Sequence, residues 1–311
     1  MSKPTWTKAT IQAGDAFHIR HQPVNRHNTI NMVSIFLLMS AFIAPIVVSF
    51  YVHWVWYPLL GILLGSAFFG HFILIIHEAS HNMLFLHSCS NRRKRLNHFV
   101  GYIASIPFFT EYNRHWRDGH VTHHLRPCEE DDPQNPDPLY GPRLLKTIAK
   151  VWLMPFGFMP VNPSSKYDGK LKRIGLGSAF LLPILALIYS LNPLSLLVLY
   201  IAFNTLATLN LCKIAQEHGA GLANEPYPIL RSRTYFYPLQ WLFSPFNIHY
   251  HYEHHANFNV PWYLLPSYHK VVRDIIPLEL RHHFIHREYW AQMMGTKPLP
   301  EWQQTDIQIS S

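Results

Sequence analysis

Three groups of histidines have the spacing of metal ligands. His120-Val-Thr-His123-His124 and His251-Tyr-Glu-His254-His255 share the pattern His-x-x-His-His, and His77-Glu-Ala-Ser-His81 is an i, i+4 pair. On a helix, positions i, i+3 and i+4 fall on one face, so each triplet aims its imidazoles at one small volume. A chain with 22 histidines meets one such cluster by accident now and then, but two clusters and a pair far more rarely. The pattern therefore marks a metal site. His218, in Ala215-Gln-Glu-His218, completes a set of nine with His77, His81, His120, His123, His124, His251, His254 and His255. One zinc takes about four ligands, so nine imidazoles point to two ions. Imidazole suits iron, copper, zinc and nickel, and ligand number alone does not choose among them. Glu78 and Glu253 lie between these histidines, either as partners that fix an imidazole tautomer or as ordinary exposed helix carboxylates.

The other histidines rank lower. His115 and His249 flank the clusters and offer ligands in a different register. His71 falls inside an apolar run, as a hydrogen-bonded bundle histidine or a functional intramembrane one. His18, His21, His27, His282, His283 and His286 are expected at the surface.

The elements that must position the ligands are apolar. Between residues 27 and 77, and again between 174 and 212, there is no Asp, Glu, Lys or Arg. Each run holds two spans of about 20 residues with a short turn between them, at Tyr57-Pro58 and at Leu191-Asn-Pro193. The expected fold is an all-α integral membrane protein, with four transmembrane helices in two hairpins and a helical cap carrying the histidines. Residues 1–28 are polar, without the apolar stretch of a cleavable signal. All 26 Lys and Arg fall in residues 1–26, 92–173 and 213–297. By the positive-inside rule all three blocks face the cytoplasm, which explains the net charge of +8 more simply than nucleic-acid binding does. The chain then reads as one membrane domain over 1–311. Residues 1–28 are cytoplasmic, 29–76 form the first hairpin, and 77–173 are cytoplasmic with the first two histidine groups. Residues 174–212 form the second hairpin, and 213–311 are cytoplasmic with the third group. Leu96–Phe109 and Leu144–Pro160 are interrupted apolar segments that suit the membrane interface. Cys89, Cys128 and Cys212 are odd in number and lack CxxC spacing, which argues against a disulfide framework or zinc ribbon.

The three histidine boxes, spaced around two membrane hairpins, resemble those of the membrane fatty acid desaturase/hydroxylase superfamily over about residues 30 to 270. The acidic run DDPQNPDP after the second box and VPWYLLPSYH after the third match as well, and His218 in AQEHG looks like the extra ligand that follows the fourth span. The resemblance implies an oxo-bridged non-haem diiron centre held by the nine histidines. Such a centre takes O2 and two electrons and removes hydrogen from an unactivated C–H bond of a chain lying in a tunnel from the interface. The expected reaction is desaturation of an acyl lipid or acyl thioester. Hydroxylation, or carotenoid ketolation or hydroxylation, are the alternatives within the same superfamily. Neither end shows a fused cytochrome b5 segment, so a separate ferredoxin or cytochrome b5 is the expected electron donor. A membrane metal transporter or sensor is the reading from another class. It would need ligands within the spans, where His53, His71 and a few Met are all that is on offer.

Overall fold

A computed structural model describes residues 5–132, 134, 141–154, 157–159, 167–219, 222, 225 and 227–286. The chain opens with α1 (Thr5–Ala13) and the long α2 (Val24–Ser49). Next comes α3 (Tyr57–His71), which runs through a π-helical segment (Phe72–His77) into the short α4 (Glu78–Ser80). Helix α5 (Ser90–Ser105) and a second π-helical segment (Tyr112–Asp118) lead to α6 (Gly119–Leu125). Then follow α7 (Gly141–Leu153), α8 (Lys170–Leu191) and α9 (Leu196–His218). The C-terminal part holds β1 (Thr234–Tyr235), α10 (Gln240–Phe243), α11 (His251–Ala256), α12 (Leu265–Ile275), α13 (Arg281–Phe284) and β2 (Ile285–His286). The two short strands pair in parallel, Thr234 with Ile285 and Tyr235 with His286.

Four helices are long and apolar enough to cross a membrane: Val24–Ser49, Trp54–Ser80, Lys170–Leu191 and Pro193–His218. Their environments differ. The second is 78% buried and forms the middle of the bundle, whereas the third is 11% buried. Met32, Phe36, Leu37 and Ile43 on α2, and Phe180, Leu182 and Leu187 on α8, are exposed large apolar side chains. A continuous surface of that kind is stable against lipid and not against water.

The central contact is between α3 and α9, and its cause is legible in Gly61-Ile-Leu-Leu-Gly65. A Cβ at Gly61 would lie 2.5 Å from Ile201 Cβ, and one at Gly65 2.5 Å from Thr205 Cβ. Two glycines four residues apart therefore let α9 approach the α3 backbone, which is how helices associate where no hydrophobic effect operates between them. At one end of the bundle the turns are tied together. The Tyr57 hydroxyl donates to Ser49 O at 2.9 Å and accepts from Asn192 Nδ2 at 3.1 Å.

At the other end the helices overrun. The Trp54–Ser80 segment has 27 residues. At about 1.5 Å per residue that is roughly 40 Å, against a hydrocarbon core of about 30 Å. His77 and His81 stand at the end of this over-long segment, and His218 at the end of the 26-residue Pro193–His218 segment. Helix α5 keeps Leu96, Phe99 and Ile103 exposed, as an interfacial helix does. Helix α7 goes deeper than its Lys146/Lys150 pair suggests. Trp152 Nε1 donates to Thr208 Oγ1 at 3.0 Å, and Tyr200 OH to Trp152 O at 3.1 Å, so α7 runs down the flank of α9.

The C-terminal part folds back over this overrun. Trp262 Nε1 donates to Asn31 Oδ1 at 2.9 Å, and Tyr268 OH to Thr10 O at 2.6 Å. His27, expected at the surface, is fully buried in this seam, with Nε2 2.6 Å from Met83 O and Nδ1 3.0 Å from Tyr263 OH. His283 is buried too, 3.1 Å from Glu225, whereas His21 and His282 are exposed and His18 partly so.

Replacing Gly65 by Val should therefore force α9 outward and cost about 1–3 kcal/mol by overpacking. Thermal unfolding of the protein in detergent checks this, and an unchanged midpoint would mean that the α3–α9 crossing does not depend on that close approach.

Candidate metal centre

The nine sequence-selected histidines converge at the overrun end of the bundle, and they sort into two groups. His77, His81, His120, His124 and His254 form one, and His123, His218, His251 and His255 the other; within each, the ligand atoms lie within 4.8 Å of one another, and all nine residues are buried. The two consecutive histidines of each box diverge. His123 goes to the four-histidine group and His124 to the five, while His254 joins the five and His255 the four. The groups adjoin, with the His124 and His255 rings 4.3 Å apart between centroids.

Local backbone features aim these side chains. The π-helical turns immediately before box one and box two shift the register at the point where ligands are needed, a common use of such turns. Asn82, at φ 58°, ends box one directly after His81, in a left-handed conformation that Asn tolerates. Phe246 and Asn247, at φ 56° and 60°, turn the chain into box three, and Asn247 Nδ2 donates to Trp262 O at 3.1 Å.

The outer ring nitrogens meet acceptors. His123 Nδ1 lies 2.8 Å from Asp132 Oδ2, His120 Nδ1 2.8 Å from Gln134 Oε1, and His218 Nδ1 2.8 Å from Arg231 O. Glu78 faces His77 Nδ1 and Glu217 faces His251 Nδ1, each at 3.3 Å without the alignment of a hydrogen bond. An acceptor beyond Nδ1 places the proton there and leaves the Nε2 lone pair pointing inward. Burial first, and then the neighbouring imidazoles, hold His81, His120, His124, His251, His254 and His255 well below the ordinary value of 6.5. These rings are neutral at pH 7.

That arrangement fits metal ions and little else. Both ring nitrogens of His81 and of His255 are buried without a hydrogen-bond partner among the described residues. His77 and His254 approach Nε2 to Nε2 at 2.9 Å, His218 and His251 at 2.8 Å, and His120 and His124 at 3.1 Å. Nitrogens sharing one ion at about 2.1 Å lie at most about 4.2 Å apart, so small ring rotations suffice for coordination.

Several supporting residues were not singled out from the sequence. Asp132 and Gln134 stand in the DDPQNPDP run, whose residues 133 and 135–138 lie outside the described residues. Burial works to raise the Asp132 carboxyl, but the His123 contact and the backbone N–H groups of Gln134 and Cys128 outweigh it and hold it low. Glu217 directly precedes His218, as Glu78 directly follows His77, and that adjacency was the available signal. Arg233, fully buried, donates to the carbonyls of Gln216 and Gly219 and so caps the helix end that presents His218. Nothing in its sequence neighbourhood announces this.

Glu253 follows neither of the two expectations: it is fully buried, yet its hydrogen bonds go to none of the nine histidines. It receives Thr234 Oγ1 and lies 2.5 Å from His269 Nδ1, fastening α11 to β1 and α12. His115 and His249 stay outside both groups, beside Gln134 and Gln240 respectively. His71 is hydrogen-bonded within the bundle through Nε2, 2.9 Å from Ala104 O, while its Nδ1 is buried without a partner among the described residues. The three cysteines are free.

A cavity leads into the two groups. Phe69, Phe72, Ile73, Phe108, Phe203 and Leu206 line its apolar part, and His77, His120, His123, His218 and His251 its inner end.

Comparison with known proteins agrees with this geometry. Residues 52–288 match the model of the family described as fatty acid desaturase. The chain belongs to that family of membrane oxidoreductases. It is 26% identical over 252 residues to the sphingolipid delta(4)-desaturase/C4-monooxygenase DES2 of Mus musculus, covering 78% of this chain and 72% of the relative. It is also similar to two sphingolipid delta(4)-desaturases DES1. One, from Drosophila melanogaster, is 25% identical over 232 residues, covering 71% of this chain and 68% of the relative. The other, from Mus musculus, is 29% identical over 261 residues, covering 80% and 75%.

Two outcomes follow from the ring environments. Asp132→Asn removes the charged acceptor behind His123, and metal retention should fall about 10- to 100-fold, read by chelator competition. The depressed imidazole pKa values mean that below about 6.5 the unfolded chain binds more protons than the folded one, so stability falls as the pH falls. The metal-free protein should melt progressively lower from pH 7.5 to 5.5; a melting temperature independent of pH in that range would contradict neutral buried rings.

Proposed function

We propose that the protein is an O2-dependent lipid desaturase that introduces a double bond into an acyl chain. The observation that carries this is the apolar cavity ending at two adjoining groups of buried imidazoles. In this reading His77, His81, His120, His124 and His254 hold one iron ion, and His123, His218, His251 and His255 the other. When bound, the iron pair supplies activation of O2 and removal of hydrogen from an unactivated C–H bond.

The chain's own residues do the rest. Phe69, Phe72, Phe108 and Phe203 enclose an extended hydrocarbon and keep water from it. Enclosure in a single conformer favours two hydrogen abstractions from adjacent carbons over return of oxygen to one. Asp132, Gln134 and Glu217 keep the ligand rings oriented as the site fills and empties. The two electrons come from a separate donor of the ferredoxin or cytochrome b5 type. The basic blocks put the histidine end and both termini in the cytoplasm, where such a donor is met.

Hydroxylation is the second reading, since the similar DES2 proteins carry C4-monooxygenase in their description beside desaturase. The relatives' sphingolipid substrates also favour a lipid-linked chain over a soluble thioester.

Membranes containing the protein, given a deuterated acyl lipid, reductant and O2, should yield a product lacking two hydrogens. Gain of one oxygen selects the hydroxylase reading, and conversion of a carotenoid alone sinks the acyl assignment. His254→Ala should abolish turnover while leaving the membrane fold intact. Exposed Cys89 should resist an impermeant thiol reagent added outside intact cells; labelling there would reverse the topology.

A further inference from the structure

One wall of the cavity is unlike the others. Asn210 and Lys213, about one turn apart on α9, place an amide and an ammonium on the same lining as Phe72, Ile73 and Phe108. Both belong to the membrane-length segment Pro193–His218. Polar groups without partners are costly there and mark ligand pathways. Lys213 pairs with Glu217 at i, i+4, and the side chains are 17% and 1% exposed. That bond uses one of the three ammonium donors. The other two have no partner among the described residues, nor does the Asn210 amide. The Lys213 ammonium sits toward the inner end, since its partner Glu217 faces His251 at 3.3 Å, and Asn210 lines the cavity about one turn further from the histidines on α9.

We propose that Asn210 and Lys213 form a subsite for a neutral oxygen of the substrate, an amide carbonyl or a hydroxyl, within a few bonds of the carbon that is oxidised. This rests on the lipid-oxidising reading above and narrows it from any acyl chain to chains polar near the reacting carbon. The oxygen is neutral because the Lys213–Glu217 pair already is. A carboxylate would add an unmatched negative charge near Glu217. A third charge beside the neutral pair would stay unmatched and lose its hydration, which a buried site does not repay. A lysine serving only to neutralise Glu217 would leave no reason for two spare donors and a free amide to line the same cavity.

The test is equilibrium binding to the full-length protein in lipid nanodiscs, without O2 or electron donor. The probes are a tritiated N-acylethanolamine, the n-alkane of equal chain length and the free fatty acid. The amide probe should bind about 10-fold or more tighter than the alkane, as expected for hydrogen bonds that include a charged donor. Asn210→Leu, which keeps the ion pair, should cut that preference about 3- to 10-fold. Lys213→Met combined with Glu217→Gln should remove it. Where the double variant does not fold, Asn210→Leu decides. Equal binding of amide and alkane, or equal loss of both in Asn210→Leu, overturns the subsite. Free acid binding as tightly as the amide overturns its neutrality. Because no turnover is read, failure here leaves the desaturase reading standing, and absence of desaturation leaves the subsite standing.

Discussion

Nine buried imidazoles drawn into two adjoining groups are unfavourable by themselves. Each ring nitrogen left without a partner forfeits the hydrogen bonds that it made in water. His81 and His255 are the extreme cases, with both nitrogens buried and unbonded. The rest of the molecule has to impose this arrangement, and ion binding then returns the free energy to the folded state.

The imposition comes from unrelated parts of the chain acting on the same few atoms. The α3–α9 crossing sets how far His77 and His218 stand from each other. Arg233 fixes the end of α9, and Glu253 fastens the helix of box three to β1 and α12 without touching a ligand. Asp132, Glu217 and the Arg231 carbonyl grip ligand rings from outside. At His120, His123 and His218 rigidity is obtained by hydrogen bonds to the far side of the ring, which leave the near side open.

What the sequence disclosed follows from periodicity and chemistry. The His-x-x-His-His repeats and the two charge-free runs are signals confined to a few residues or to composition, and both led to structures of the expected kind. The sorting of consecutive histidines into different groups was not legible, because it depends on how three short helices face one another. Nor were the π-helical turns, whose extra residue leaves no mark in the pattern of apolar side chains. Gly61 and Gly65 stand in an apolar run that names no partner for them. Their purpose appears only with Ile201 and Thr205 in place across the crossing. His27 was misplaced at the surface because its partners, Met83 O and Tyr263 OH, lie 56 and 236 residues away.

Those separations bear on how the molecule is made. His77 meets His254 across 177 residues, Asn31 meets Trp262 across 231, and Thr10 meets Tyr268 across 258. A ribosome adds roughly 5–20 residues per second, so box one waits on the order of ten seconds or more for its partners in box three. During that interval the nascent chain presents a half-built, open set of histidines at the membrane surface. The centre is thus assembled from both ends of the polypeptide and closes last, so stable ion uptake belongs to the finished chain, and a chain stopped before α12 lacks the seam that holds the two ends together.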